Sequence, residues 1–145
     1  MDSRLVSLSH YLLSRRDAAE ASPDAIDATL LPHIFVLQIE PGPRLRVRLA
    51  GTALDRAFNR PLRDSFMEDF IHGPRGGDVL RGFHDCAASR EPLWMREIVQ
   101  ITDRVPRFVE GIAVFLGPDK IYGGLIVGDL AGEIQGPTFE RRNLG

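Results

Sequence analysis

Leu5, Leu8, Leu12 and Ala19 recur at near-helical spacing, with Tyr11 beside them, while Ser9, Ser14, Arg15, Arg16 and Asp17 are polar. The pattern predicts an amphipathic helix over residues 3–20 with one modest apolar stripe. Such a stripe has to cover something, either its own domain or a second copy of the chain. Ser22-Pro23-Asp24 reads as a second helix start: Ser22 caps, Pro23 fits the first helical position and Asp24 suits the positive end of the helix dipole. Pro32 disfavours helical geometry at Leu31, so this helix is short.

Strands follow. Residues 33–40 place Phe35, Leu37 and Ile39 in one phase and Ile34, Val36 and Gln38 in the other. Pro41-Gly42-Pro43 is a turn. Residues 44–50 alternate Leu45, Val47 and Leu49 against Arg44, Arg46 and Arg48, the signature of a half-buried strand with one wet face. Together they predict a hairpin. Residues 52–58 suit a helical turn, and a short helix carries Phe66, Met67, Phe70 and Ile71 until Gly73-Pro74 breaks it. A longer helix over 77–89 has Val79, Leu80, Phe83 and Ala87 on its apolar side. Residues 92–102, 106–116 and 120–130 read as strands, the last two joined by Gly117-Pro118-Asp119. From Ala131 on, apolar periodicity is lost and a loose tail is expected. Short links between successive strands favour antiparallel pairing, and five strands with helices gathered on one face make an α+β domain.

Composition narrows this only slightly. The chain has 145 residues, 43% apolar and 26% charged, which suits one globular domain. A net charge of −2 offers no basic footprint for nucleic acid. No apolar run approaches membrane-spanning length, and the N-terminus has no long apolar segment of the secretory type. Cys86 is the only cysteine, which excludes an internal disulfide and fits a cytoplasmic location.

Two segments carry a family resemblance. One is Ser22-Pro23-Asp24-Ala25-Ile26-Asp27 running into Leu30-Leu31-Pro32-His33-Ile34-Phe35. The other is Arg46-Val47-Arg48-Leu49-Ala50-Gly51-Thr52, followed by Phe58-Asn59-Arg60-Pro61-Leu62. With the order of elements, they make residues 5–130 resemble the bacterial PAS family whose members often stand alone. Asn59-Arg60 stands where many relatives have glycine-arginine, and asparagine tolerates the same left-handed backbone. The resemblance implies a five-stranded antiparallel sheet in the order 2-1-5-4-3, with an N-terminal helix over residues 1–21, the PAS domain over 22–131 and a loose tail over 132–145. It further implies a sensory or protein-interaction module that dimerises, often through the N-terminal helix, and regulates a signalling partner such as a histidine kinase. Since the chain shows no output domain, the output is expected in that partner. The alternative it implies is a small-ligand sensor.

Candidate residues follow from the phases. An apolar pocket would be lined by Phe35, Leu37, Val47, Phe66, Phe70, Phe83, Met95 and Ile112. Glu97 shares the phase of Leu93, Met95, Val99 and Ile101, and Glu110 that of Phe108, Ile112 and Val114. If both phases face inward, two carboxylates point into an apolar interior, where each needs a partner, such as Arg63 or Arg81, a ligand group or a raised pKa. Ile34, Val36, Trp94 and Ile98 fall in the opposite phase and make the outer face of the sheet apolar, so something covers it. Leu5, Leu8 and Leu12 are the candidate cover, in cis or from a partner copy.

Other groups weigh towards structural roles. His84 sits on the helix from which haem-binding PAS domains ligate iron, but nothing in the sequence fixes its orientation, so haem is not expected. His10, His33 and His72 lack zinc-site spacing. Cys86 lies about 60° from the centre of its helix's apolar side and reads as a small buried thiol. Arg44, Arg46 and Arg48 suit a solvated edge strand better than an anion site. No Gly-x-Ser-x-Gly, phosphate loop, His-Glu-x-x-His or dinucleotide fingerprint occurs, and Gly73-Pro74-Arg75-Gly76-Gly77 lacks the lysine and preceding strand of a phosphate cradle. The reading is therefore non-enzymatic; an enzyme using Glu97 or Glu110 as base is the remaining alternative.

Overall fold

The computed structural model describes residues 1–16, 21, 25–42, 44–71, 77–100, 106–129 and 139–144. The expected helix start at Ser22-Pro23-Asp24 lies outside them. Helix α1 spans Ser3–Ser14. A single 3-10 turn, Leu31–His33, leads into strand β1 (Ile34–Glu40), which returns as β2 (Arg44–Ala50). Helices α2 (Thr52–Ala57), α3 (Met67–Phe70) and α4 (Gly77–Ser89) follow. Strands β3 (Leu93–Gln100), β4 (Pro106–Phe115), β5 (Lys120–Asp129) and β6 (Phe139–Asn143) complete the chain. None of the described helices is long and apolar enough to cross a membrane.

All neighbouring strands are antiparallel, in the order β2-β1-β5-β4-β3-β6. The fold is α+β. The sheet has six strands where five were expected, and the extra one corrects the loose tail: Phe139–Asn143 pairs along β3, from Leu93↔Asn143 to Glu97↔Phe139. Phe139-Glu140-Arg141-Arg142-Asn143 carries no apolar alternation that would announce a strand. Instead Glu140 pairs with Arg96, Arg141 reaches Asp85 of α4 at 2.5 Å, and the Arg142 guanidinium stacks 4.9 Å from the Trp94 ring centre.

Both faces of the sheet are covered. On one side α2, α3 and α4 close over Phe35, Leu37, Leu45, Val47, Met95 and Ile121. On the other, Leu5, Leu8 and Leu12 of α1 pack on Ile34, Trp94, Ile112 and Val114. Asp2 caps α1 by accepting from the Arg4 backbone N–H at 2.8 Å, and the Arg4 guanidinium beside it holds its carboxyl below the usual range. The helix ends at Ser14, short of the expected residue 20, and residues 17–20 lie outside the described set. Gly124 is what lets α1 settle: a Cβ there would stand 2.7 Å from Leu8 Cδ2.

The second strand departs from strict alternation. Pairing runs Val36↔Leu49 and then Leu37↔Val47, so Arg48 is an extra residue in a β-bulge. A one-residue slip reverses every following side chain. Leu45 and Val47 therefore join the inner cluster, whereas Leu49 packs with α1 on the other side. Asn59 takes φ 54, in the left-handed region that asparagine tolerates.

Candidate functional site

Of the residues expected to line a pocket, six meet on the inner face. Phe35, Leu37, Val47, Phe70, Phe83 and Met95 belong to one buried cluster. Phe35 and Phe83 meet edge to face with ring centres 5.4 Å apart, and Phe70 meets Phe58 likewise at 5.3 Å. Gly82 brings α4 against β3: a Cβ there would stand 3.3 Å from Met95. These side chains pack on one another as a core.

Two expected pocket residues are elsewhere. Phe66 is half-exposed on the rim, with the guanidiniums of Arg44 and Arg46 stacked 3.7 and 4.5 Å from its ring centre. Its neighbour Met67 takes the inward position instead. Ile112 is fully buried but on the α1 face. With both faces of β4 covered, Arg107–Phe115 reads as apolar in both phases, and alternation cannot say which is inner. Val109, Ala113 and Phe115 are the inward set.

Glu110 goes with Ile112, so it too is absent from the inner face. It is 7% exposed and bound on the α1 side. Trp94 Nε1–H donates to its Oε2 at 2.6 Å, and the Asp2 backbone N–H reaches its two oxygens at 3.1 and 3.2 Å. This carboxylate thus links β4, β3 and the start of α1, where the helix dipole favours negative charge. Its partners, an indole N–H and a backbone N–H, are not the arginines that charge pairing alone would suggest.

Glu97 does face inward, 4% exposed, and accepts from the Val79 N–H in the first turn of α4 at 3.0 Å. Burial, with a smaller contribution from Asp78, pushes its carboxyl up to about 7; the Val79 hydrogen bond and Arg81 pull the other way. A carboxyl in this position exchanges its proton near neutral pH.

The proposed interface residues are consumed within the chain. Leu5, Leu8 and Leu12 are 0, 2 and 1% exposed, and Ile34, Trp94 and Ile98 are also buried. A dimer contact made by these side chains would first have to lift α1 from its own sheet. Val36 is half-buried and, with Leu8, Leu12, Ile34 and Tyr122, lines an apolar cavity of about 20 Å³, room for about one water.

The remaining candidates are engaged structurally. His84 Nε2 lies 3.2 Å from Glu68 Oε1, and Glu68 also accepts from the Leu45 N–H of edge strand β2 at 2.9 Å. Arg44 pairs with Asp69 at 3.3 Å and Arg46 with Glu40 at 2.5 Å. Residues 64–68 run beside β2, with Val47 N–H to Ser65 O and Asp64 N–H to Val47 O both 2.8 Å, and so cover the edge those arginines flank. Cys86 is fully buried and its thiol is pushed up to about 11 by burial. No sequence profile of a known protein family matches the chain, and no curated protein matches it.

Proposed function

We propose that this chain is a single-domain, PAS-like sensory and interaction module that regulates a signalling partner, such as a histidine kinase, in trans. The observation that carries the reading is topological. Five of the six strands run β2-β1-β5-β4-β3, the order the resemblance implies, with α2, α3 and α4 on one face. Fold likeness alone does not determine activity, so the reading rests on a test with the partner present. The tagged protein, cross-linked in its native cells, is to be recovered with a histidine kinase. The rate of that kinase's autophosphorylation is then measured with and without the module. A changed rate is the expected result; no recovered kinase, or an unchanged rate, overturns the proposal.

Glu97 supports the ligand-sensing variant of the same reading. It is an inward carboxyl beside an otherwise apolar cluster, held by the Val79 N–H at 3.0 Å. Native mass spectrometry of gently purified protein separates the two. A discrete extra mass supports a sensor, and the bare mass of one or two chains supports an interaction module.

A further inference from the structure

Two helices on opposite faces of the sheet end at the same corner. Helix α1 stops at Ser14 and α4 at Ser89, and β4 runs out at Phe115. Leu13, Arg16, Arg90, Phe115 and Leu116 line an open cleft of about 490 Å³ there. That volume is in the range of small-molecule sites, roughly 300–1,000 Å³. Leu13, Phe115 and Leu116 give it a smaller apolar part, polar atoms make up most of the lining, and its two charged residues are both arginines.

Arg90 is placed at a cost. It has φ 63, a left-handed position just past a helix that glycine ordinarily fills, and its N–H closes on Cys86 O at 2.9 Å. The conformation carries its guanidinium over Phe115, 5.1 Å from the ring centre. Neither Arg16 nor Arg90 makes an ion pair among the described residues, whereas Arg4, Arg44, Arg46, Arg81, Arg96 and Arg141 each do. The carbonyl ends of α1 and α4, each worth about half a negative charge, and the neighbouring Glu91 offset part of this positive field. The corner is therefore suited to modest, salt-sensitive binding.

We propose that this cleft binds a small organic anion, its carboxylate or phosphate held between Arg16 and Arg90 and its apolar body laid against Leu13 and Phe115. The proposal does not depend on the signalling role. The test is an amide NMR titration of the whole chain with phenyl phosphate, using phenol and inorganic phosphate as partial probes. Phenyl phosphate is expected to shift Leu13, Arg16, Arg90, Phe115 and Leu116, more strongly than either partial probe and less so as salt rises. Arg90→Gly suits the backbone at φ 63, so it folds while removing one wall. It and Arg16→Gln are each expected to weaken binding about tenfold or more, the loss of one charge-assisted contact. The proposal is overturned if phenol shifts the same residues as strongly, if the shifts map elsewhere, or if both variants bind like the parent. Sedimentation of the protein with phosphatidic acid vesicles, combined with no response to phenyl phosphate, would also overturn it by assigning the cleft to a membrane surface.

Discussion

Replacing Glu97 by Gln isolates the cost of a buried carboxylate. The folded carboxyl is pushed up to about 7, against an ordinary value of 4.5. Below pH 4.5 both folded and unfolded chains keep the proton, and the group costs nothing. Between 4.5 and about 7 the unfolded chain releases it while the folded chain retains it, so stability falls as pH rises. Above about 7 the full difference is paid, about 3 kcal/mol at 1.36 kcal/mol per pH unit. Glutamine keeps a carbonyl acceptor for the Val79 N–H and carries no charge. Glu97→Gln should thus match the parent near pH 4 and exceed it progressively up to pH 8, by as much as about 3 kcal/mol. Urea unfolding of both proteins across this range measures the difference directly. A gap between them that does not change with pH would refute the reasoning, because only a proton held differently in the two states can make it grow.

Three further outcomes follow from packing. Glu110→Ala leaves Trp94 Nε1–H and the Asp2 N–H without their acceptor; we expect a loss of about 2–4 kcal/mol and faster amide exchange along α1, read by urea unfolding and hydrogen exchange. Gly123→Ala should cost far more than Gly124→Ala, since the new Cβ would meet Ile112 backbone oxygen at 2.1 Å rather than a movable Leu8 methyl at 2.7 Å; equal melting temperatures for the two would contradict the register of β4 on β5. Cys86 should resist a thiol reagent in the native protein and react fully in denaturant, and rapid native labelling would show that α4 opens readily.

Much of the sheet was legible from residue patterns, and its failures have identifiable causes. Phe35 and Leu37 against Ile34 gave the two faces of β1 correctly, because a strand with no irregularity keeps its period. The next strand misled at Leu49, since the bulge at Arg48 inserts a residue that no propensity announces. Glu110 and Ile112 were assigned to the wrong side because the cover supplied by α1 makes the outer phase as apolar as the inner. The apolar outer phase had itself shown that some cover exists; its placement in cis depended on Gly124, whose meaning appears only once Leu8 rests on it. β6 was missed altogether, for Glu140, Arg141 and Arg142 are held by charge pairing and stacking rather than by burial.

The Asp2–Glu110 contact also bears on how the chain reaches this structure. It joins positions separated by 108 residues. The helix that contains Leu5 and Leu8 leaves the ribosome well before its seat, Ile112 and Gly124. Until that seat emerges, the leucine stripe lacks the Ile112 and Val114 surface it packs on. Closing so long a loop is slow compared with local pairing. The nascent chain therefore carries an uncovered amphipathic helix until β4 and β5 follow it, and burial of that helix waits for strands made long after it.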